Sequence, residues 1–227
     1  GKIEQRDSIN FKEAFIDGTK LEANANRYTF VWRKSVEKHM AKLPVKLEAL
    51  KADIQRQLGE DMSSFNDELI CQELERRIKS EKVTFVHGKG KRKTVLQRLF
   101  ERADNLLVKR LEYEKHLGIM GSRNSYSKID HDATFMRMKD DHMKNGQLKA
   151  GYNVQVAAHS EYILGLGIYP NPTDTLTLIP FLKDLERIHG KKFEYIVADA
   201  GYDSEENSTW LAANNYKSCI KPQNYER

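Results

Sequence analysis

Two aspartates, separated by most of the chain, stand where a carboxylate can do metal chemistry. Asp17 follows the short apolar run Phe15-Ile16 and precedes Gly18-Thr19. Asp199 follows the apolar run Tyr195–Ala198 and precedes Ala200-Gly201-Tyr202. In an open α/β sheet, the carboxyl ends of strands line the crevice in which ligands bind. A carboxylate there, beside a glycine that lets other groups approach closely, can hold a hard divalent cation through oxygen. Two such groups from adjacent strands can bind a metal pair about 4 Å apart, which clamps the attacking and leaving oxygens of a phosphodiester. Each residue also has a plainer reading as a turn initiator, since Asp-Gly is a common turn dipeptide. Taken singly, neither aspartate outweighs that reading.

Other clusters carry less. Asp130-His131-Asp132 and Asp140-Asp141-His142 have the composition of metal ligands, but they are too dense for one rigid helix face and lack an apolar run to position them. A substrate- or subunit-contacting loop using Arg137, Lys139 and Lys144 is the better reading. Lys89, Lys91, Arg92 and Lys93 share a loop with two glycines and are the best candidates for phosphate contacts. Trp210, Tyr202 and Trp32 read as packing residues, although Trp32 could stack on an unpaired base. Cys71 and Cys219 have no metal-ligand spacing and read as structural.

The chain has 227 residues, 39% hydrophobic and 31% charged, which describes a globular protein of one large domain or two small ones. Its longest apolar runs are far short of the roughly 18 residues a transmembrane helix needs, so no membrane partner is expected. No secretory leader is expected either, and a reducing cytoplasmic compartment is the default for so few cysteines. The net charge of +5 is unevenly spread. Residues 34–149 hold 25 Lys/Arg against 18 Asp/Glu, a net of +7, whereas residues 150–227 hold 7 against 10, a net of −3. A basic middle beside an acidic end suits a polyanion-binding surface next to a site that gathers carboxylates; a merely solvated Lys-rich helical surface would look the same on charge alone.

Three zones of differing periodicity must position these residues. Residues 11–32 read as short extended pieces, with Asp17-Gly18 closing the first as a turn. Residues 34–118 read as helical. Val36, Met40, Leu43, Leu47, Leu50 and Ile54 form one stripe, broken or kinked at Pro44. Met62, Phe65, Leu69 and Leu74 begin a second stripe, and Leu96 through Leu111 make a third, with a loop or short hairpin between. These helices are expected to pack as an antiparallel bundle or coiled coil. In the third zone, Tyr152–Ala158 and Tyr162–Tyr169 read as paired strands, the first alternating in Tyr152, Val154 and Val156. A helix follows over 175–188, opened by Thr173 or Asp174, with Pro180 kinking it or marking its true start. Then come the strand Tyr195–Ala198, a helix capped by Asp203 with Glu206, and a last strand at Tyr216–Ile220. Strand, strand, helix, strand, helix, strand implies an α/β layer with a parallel crossover.

Four stretches in this order, IDGTKLEANANRYTFVWRKS at 16–35, DATFMRMKDDHMKNGQLKAGYNVQVA at 132–157, NPTDTLTLIPFL at 171–182 and YIVADAGYDSEEN at 195–207, resemble the transposases of a bacterial insertion-sequence family of the DDE class. The resemblance implies a ribonuclease H-like mixed sheet, divided here into residues 1–33 and 150–227, with a large, mainly helical basic insertion at 34–149 between the first and second core strands. It implies a metal triad whose first two acids are Asp17 and Asp199, loaded with Mg²⁺ or Mn²⁺. The third, a Glu on a later helix, is not matched by Glu226, so the chain is expected to lack that helix and to be inactive alone. The resemblance further implies double-stranded DNA as partner (transposon ends and target), a nucleoid-associated cytoplasmic location, and a homodimer in the active complex, to which the Leu96–Leu111 stripe could contribute. Two rivals remain: a ribonuclease H-like nuclease that cuts without joining strands, and a catalytically dead remnant that only binds DNA or oligomerises.

Overall fold

The computed structural model describes residues 12–26, 28–88, 90, 92–139 and 146–223. The chain forms two compact units, one from Gly1–Phe30 with Ser125–Arg227 and the other from Val31–Asn124. The architecture is mixed α/β.

The first unit is built on a mixed sheet. Its strands are β1 (Glu13–Glu22), β4 (Thr134–Arg137), β5 (Leu148–His159), β6 (Tyr162–Tyr169), β7 (Tyr195–Ala198) and β8 (Lys217–Ile220); β2 (Phe30–Trp32) and β3 (Ser125–Ser127) lie outside it. The order is β4-β5-β1-β7-β8, with β6 also pairing with β5. β1 runs antiparallel to β5 but parallel to β7, and β7 runs parallel to β8. Parallel neighbours need a crossover. A helix, Glu205–Ala213, supplies the one from β7 to β8.

The helix over Leu178–His189 explains which face of the sheet is covered. Leu178, Phe181, Leu182 and Leu185 recur at helical spacing and are all buried. They close on Ala14, Ile16, Ala157, Ile196 and Ala198, the alternate residues of the three central strands. At roughly 1.5–3 kcal/mol for each large apolar side chain removed from water, this contact is the main reason the sheet holds its shape. Its opposite face leaves Phe15, Leu21, Ile163, Leu166 and Ile168 exposed.

The second unit is helical: α1 (Arg33–Met40), α2 (Leu43–Leu58), α3 (Asp67–Ser80) and α4 (Val95–Met120). Pro44 falls in the first turn of α2, so the expected interruption is a break between helices. Leu50, Ile54, Met62, Ile70, Leu74, Leu96, Leu99 and Ala103 form its core. The buried stripe of α3 is Ile70, Cys71 and Leu74, and Leu69 is exposed, one step off the expected face. The Leu96–Leu111 stripe is largely consumed inside the unit: Leu96, Leu99 and Ala103 are buried against α2 and α3, and only its far end, with Val108 and Leu111, stays exposed. It therefore does not present the long apolar seam expected of a dimer interface.

Other expectations shift more. Asp17-Gly18 is no turn, because β1 runs straight through it to Glu22 and stays paired with β5 along that length. The alternation in β5 has the opposite phase to the expected one. Asn153, Gln155 and Ala157 are buried while Tyr152, Val154 and Val156 are only partly so. The strand at residue 148 is preceded by β3 and β4, so residues 125–137 contribute strands and not helix. Ser204, not Asp203, caps the Glu205–Ala213 helix, its side chain accepting from Asn207 N. Among the described residues, no helix is long and apolar enough to cross a membrane.

Candidate active site

The register of two parallel strands brings the aspartates together. Ile16 on β1 pairs with Ala198, the last residue of β7, so Asp17 within β1 and Asp199 just past the end of β7 are the residues that follow that pair. Adjacent strands are about 4.8 Å apart. Ile16 and Ala198 point to the helix-covered face, so the two acids project from the other one by the alternation of strand side chains. There they line an open cleft of about 750 Å³ with Phe15, Thr19, Lys139, Val156, Ala158 and Val197.

Each acid is anchored locally. Gly18 N donates to Asp17 Oδ1 at 2.8 Å, and Gly201 N donates to Asp199 Oδ1 at 2.8 Å. The second bond makes Asp199 the cap of a 3₁₀ turn over Ala200–Tyr202. The Asp17 side chain is 74% exposed, so its oxygens remain available to a ligand. Lys139 is its ion-pair partner among the described residues, with Nζ 3.8 Å from Asp17 Oδ1 and donating to Gly18 O at 3.3 Å.

Beneath the acids, on the helix-covered side, lies a polar network that sequence reasoning missed. Gln155 and Asn153, fully buried, stand two apart on β5. Gln155 Nε2 donates to Asn153 Oδ1 at 2.9 Å and to Asp174 Oδ1 at 3.1 Å. Asn153 Nδ2 donates to Asp174 Oδ1 at 2.7 Å, and the Tyr202 hydroxyl donates to Gln155 Oε1. Asn207 Nδ2 ties the ends together, donating to Tyr202 O and Thr175 O. Burial, and then the charges of Asp174, Asp17 and Asp199, hold the Tyr202 phenol far above its ordinary value, so it is a firm donor at neutral pH. Two amides at alternate positions of one strand were the available signal, but the apolar residues between them drew the alternation onto the wrong face.

The remaining candidates are dispersed. Lys89, Lys91 and Lys144 lie outside the described residues, as do Asp140-Asp141-His142 and Glu226. Arg92 is exposed, and Lys93 Nζ is 2.6 Å from Glu101 Oε2. Arg137 is exposed at the end of β4. Asp130 is a structural residue. Its Oδ1 accepts from the backbone of Asp132 and Ala133, its Oδ2 accepts from the Tyr152 hydroxyl at 2.5 Å, and His131 packs edge-on against Tyr126. Trp210 stacks on Tyr216, Cys71 is buried and Cys219 exposed, with both thiols free.

The donor set at Asp17 and Asp199 is all oxygen and anionic, which suits a hard divalent cation that completes its shell with water. Two carboxylates are fewer than such a site usually gathers, and among the described residues no group of three or more His, Cys, Asp and Glu is placed to hold a metal ion.

Fold and site define a mixed-sheet α/β domain that presents two carboxylates in one cleft, Asp17 within β1 and Asp199 just past the carboxyl end of the parallel strand β7. Residues 123–227 match the family model described as Transposase DDE domain, so this stretch of the chain is similar to that transposase family. The match takes in Lys139, Asp174 and Asp199, while Asp17 lies before it. Comparison with curated proteins and with solved structures gives no match to the chain.

Proposed function

We propose that this chain is the carboxylate-bearing part of an insertion-sequence DDE transposase with a ribonuclease H-like sheet, which cuts phosphodiesters at transposon ends and joins them to target DNA. The observation that carries this reading is that Asp17 and Asp199, each following the paired residues Ile16 and Ala198, line one cleft. The family match supports transposase-type activity and DNA as the substrate.

In this reading Asp17 and Asp199 hold Mg²⁺ or Mn²⁺, which when bound supplies positive charge to the oxygens of the reacting phosphodiester. The chain's own residues do the rest. The Gly18 and Gly201 amides fix one oxygen of each carboxylate, leaving the others to face the cleft. The apolar walls of Phe15, Val156 and Val197 exclude water from one side of the bound strand. Lys139, with Nζ 3.8 Å from Asp17 Oδ1, lines the cleft and adds a positive charge for a phosphate bound there. Arg92, Lys93 and Arg137, with Lys89, Lys91 and Lys144, add sequence-independent phosphate contacts. The joining of two transposon ends calls for a homodimer in the active complex.

The test is cleavage and joining of end-bearing duplex DNA by the full-length product of the gene. Asp17→Asn and Asp199→Asn are each expected to lower both steps by about 100-fold or more. Undiminished cleavage by either variant refutes the assignment. Cleavage without joining of a precut end would instead identify a nuclease.

A further inference from the structure

Gly18 and Gly201 flank the two acids, and neither has a positive φ, so their lack of a side chain is a matter of space. A Cβ on Gly18 would stand 2.8 Å from Gln155 Nε2, 2.9 Å from Asp174 Oδ1 and 3.0 Å from Tyr202 Oη. A Cβ on Gly201 would stand 3.0 Å from Asp199 Oδ1 and 3.3 Å from Asp174 Oδ2. One carboxylate, Asp174, thus reaches both glycines, approaching β1 from behind with one oxygen and the Asp199 turn with the other.

Its bonds run to the part of the chain that carries Asp199. Asp174 Oδ1 accepts from Asn153 and Gln155, and Gln155 Oε1 accepts from the Tyr202 hydroxyl. Tyr202 is fully buried and ends the turn that begins at Asp199. A shift of Asp174 would therefore move Tyr202, and with it the backbone that aims Asp199. A neutral acceptor could make the same hydrogen bonds. A carboxylate placed beside two others adds negative charge that repels them in the apo state and attracts a cation. With two amide donors already on Oδ1, Asp174 is poised to support the site and not to coordinate within it.

Resting on the reading of Asp17 and Asp199 as the cation-binding pair, we propose that Asp174 is the positioning residue of that pair. Through Gln155 and Tyr202 it sets the Asp199 turn, and through its charge it raises the site's affinity for a divalent cation.

The test is Mn²⁺ binding to this chain, followed by the loss of the free-ion electron paramagnetic resonance signal at a temperature where circular dichroism shows each variant folded. Outer-layer partners of metal ligands typically change affinity by 10–100-fold. Asp174→Asn is expected to weaken Mn²⁺ binding about 10-fold, and Tyr202→Phe, which keeps volume and charge but breaks the link to Gln155, by a smaller factor. A purely structural role would lower the melting temperature and leave the affinity of the folded protein unchanged. Asp174→Asn and Tyr202→Phe binding within twofold of the unaltered chain, while Asp17→Asn and Asp199→Asn weaken it, overturns this inference and leaves the cation site standing. Should Asp17→Asn and Asp199→Asn themselves leave binding unchanged, the site reading fails and takes this inference with it. If Asp174→Asn does not fold, Tyr202→Phe decides by the same criterion. If neither folds, the decision passes to the unaltered chain: saturating Mg²⁺ must shift the Gln155 side-chain amide resonances, and unmoved resonances overturn the inference.

Discussion

Replacing Gly18 with alanine separates two explanations of why a glycine follows Asp17, and they predict opposite signs. If the position needed only an extended backbone, alanine would reduce the freedom of the unfolded chain and stabilise the protein by about 0.4–1 kcal/mol. The structure instead fills the space: three polar atoms of side chains joined through Gln155 by hydrogen bonds lie 2.8–3.0 Å from the new methyl group. Such contacts are closer than carbon tolerates, and each neighbour is held by other bonds, so the network must shift. Overpacking of this kind costs roughly 1–3 kcal/mol. For a protein of this size that corresponds to a melting point lowered by roughly 2–12 °C. The assay is denaturation of the sheet unit followed by Trp210 fluorescence in a Trp32→Phe background, since the chain's two tryptophans fall in different units. A melting temperature that holds or rises in Gly18→Ala would show that the network does not press on β1, and the account of the site's support would fall with it.

Alkaline pH should weaken the sheet unit. Burial, and then the nearby charge of Asp184, pushes the Tyr169 phenol up to about 12, and the Tyr202 and Tyr216 phenols are raised further, chiefly by burial. Their contribution is complete below the unfolded phenol value of about 10 and is lost as pH rises above it, because only the unfolded chain releases these protons there. Urea midpoints for the sheet unit should therefore fall between pH 9 and 11, and a flat profile would contradict the burial of these rings. In the helical unit, Lys46, Lys93, Arg98 and Arg102 line a groove of about 800 Å³. Lys93 and Arg102 are paired with Glu101 and Asp53, while Lys46 and Arg98 have no ion-pair partner among the described residues. Lys46→Gln with Arg98→Gln should reduce the slope of log affinity for DNA against log salt by about 1–2, as counterion release requires. An unchanged slope would take this groove out of the interface.

The parts of this molecule legible in its sequence are those where one signal decides. The apolar run before Asp199, the helical spacing from Leu178 to Leu185 and the break at Pro44 each have a single cheap physical solution. The parts misread are those where a local signal and a tertiary contact compete. Asp17-Gly18 has the form of a turn, but pairing with β5 keeps β1 extended through it, and β7 pairs with β1 up to Ile16. In β5 the amides Asn153 and Gln155 hold the buried phase because each finds partners inside, at Asp174, Asn171 and Tyr202, which no periodicity can show. Asp174 itself looked like a helix opener. It does start a 3₁₀ turn, and its carboxylate serves the site as well. Both acids stood out by the apolar runs before them, but only Asp199 ends its strand; Asp17 lies within β1, and that the two meet depends on which strands are neighbours, a property of topology.

The sheet unit is made from two segments that the chain separates by residues 31–124. On its side of that gap, Lys128 N donates to Thr29 O at 2.8 Å and the Thr29 and Ser127 hydroxyls are 2.8 Å apart. Within the helical unit, Arg33 N donates to Asn124 O at 2.9 Å, so that unit's two ends already meet. Once the helices have assembled, β1 and β5 are tethered as if by a short link, although Gly18 and Gln155 are far apart along the chain. Closing a long loop costs entropy that rises only logarithmically with its length, by about 0.6 kcal/mol per doubling, and a prefolded unit removes most of it. A helical unit that forms first would thus turn the pairing of β1 with β5 into a nearly local one, leaving β7 to add to an edge already in place.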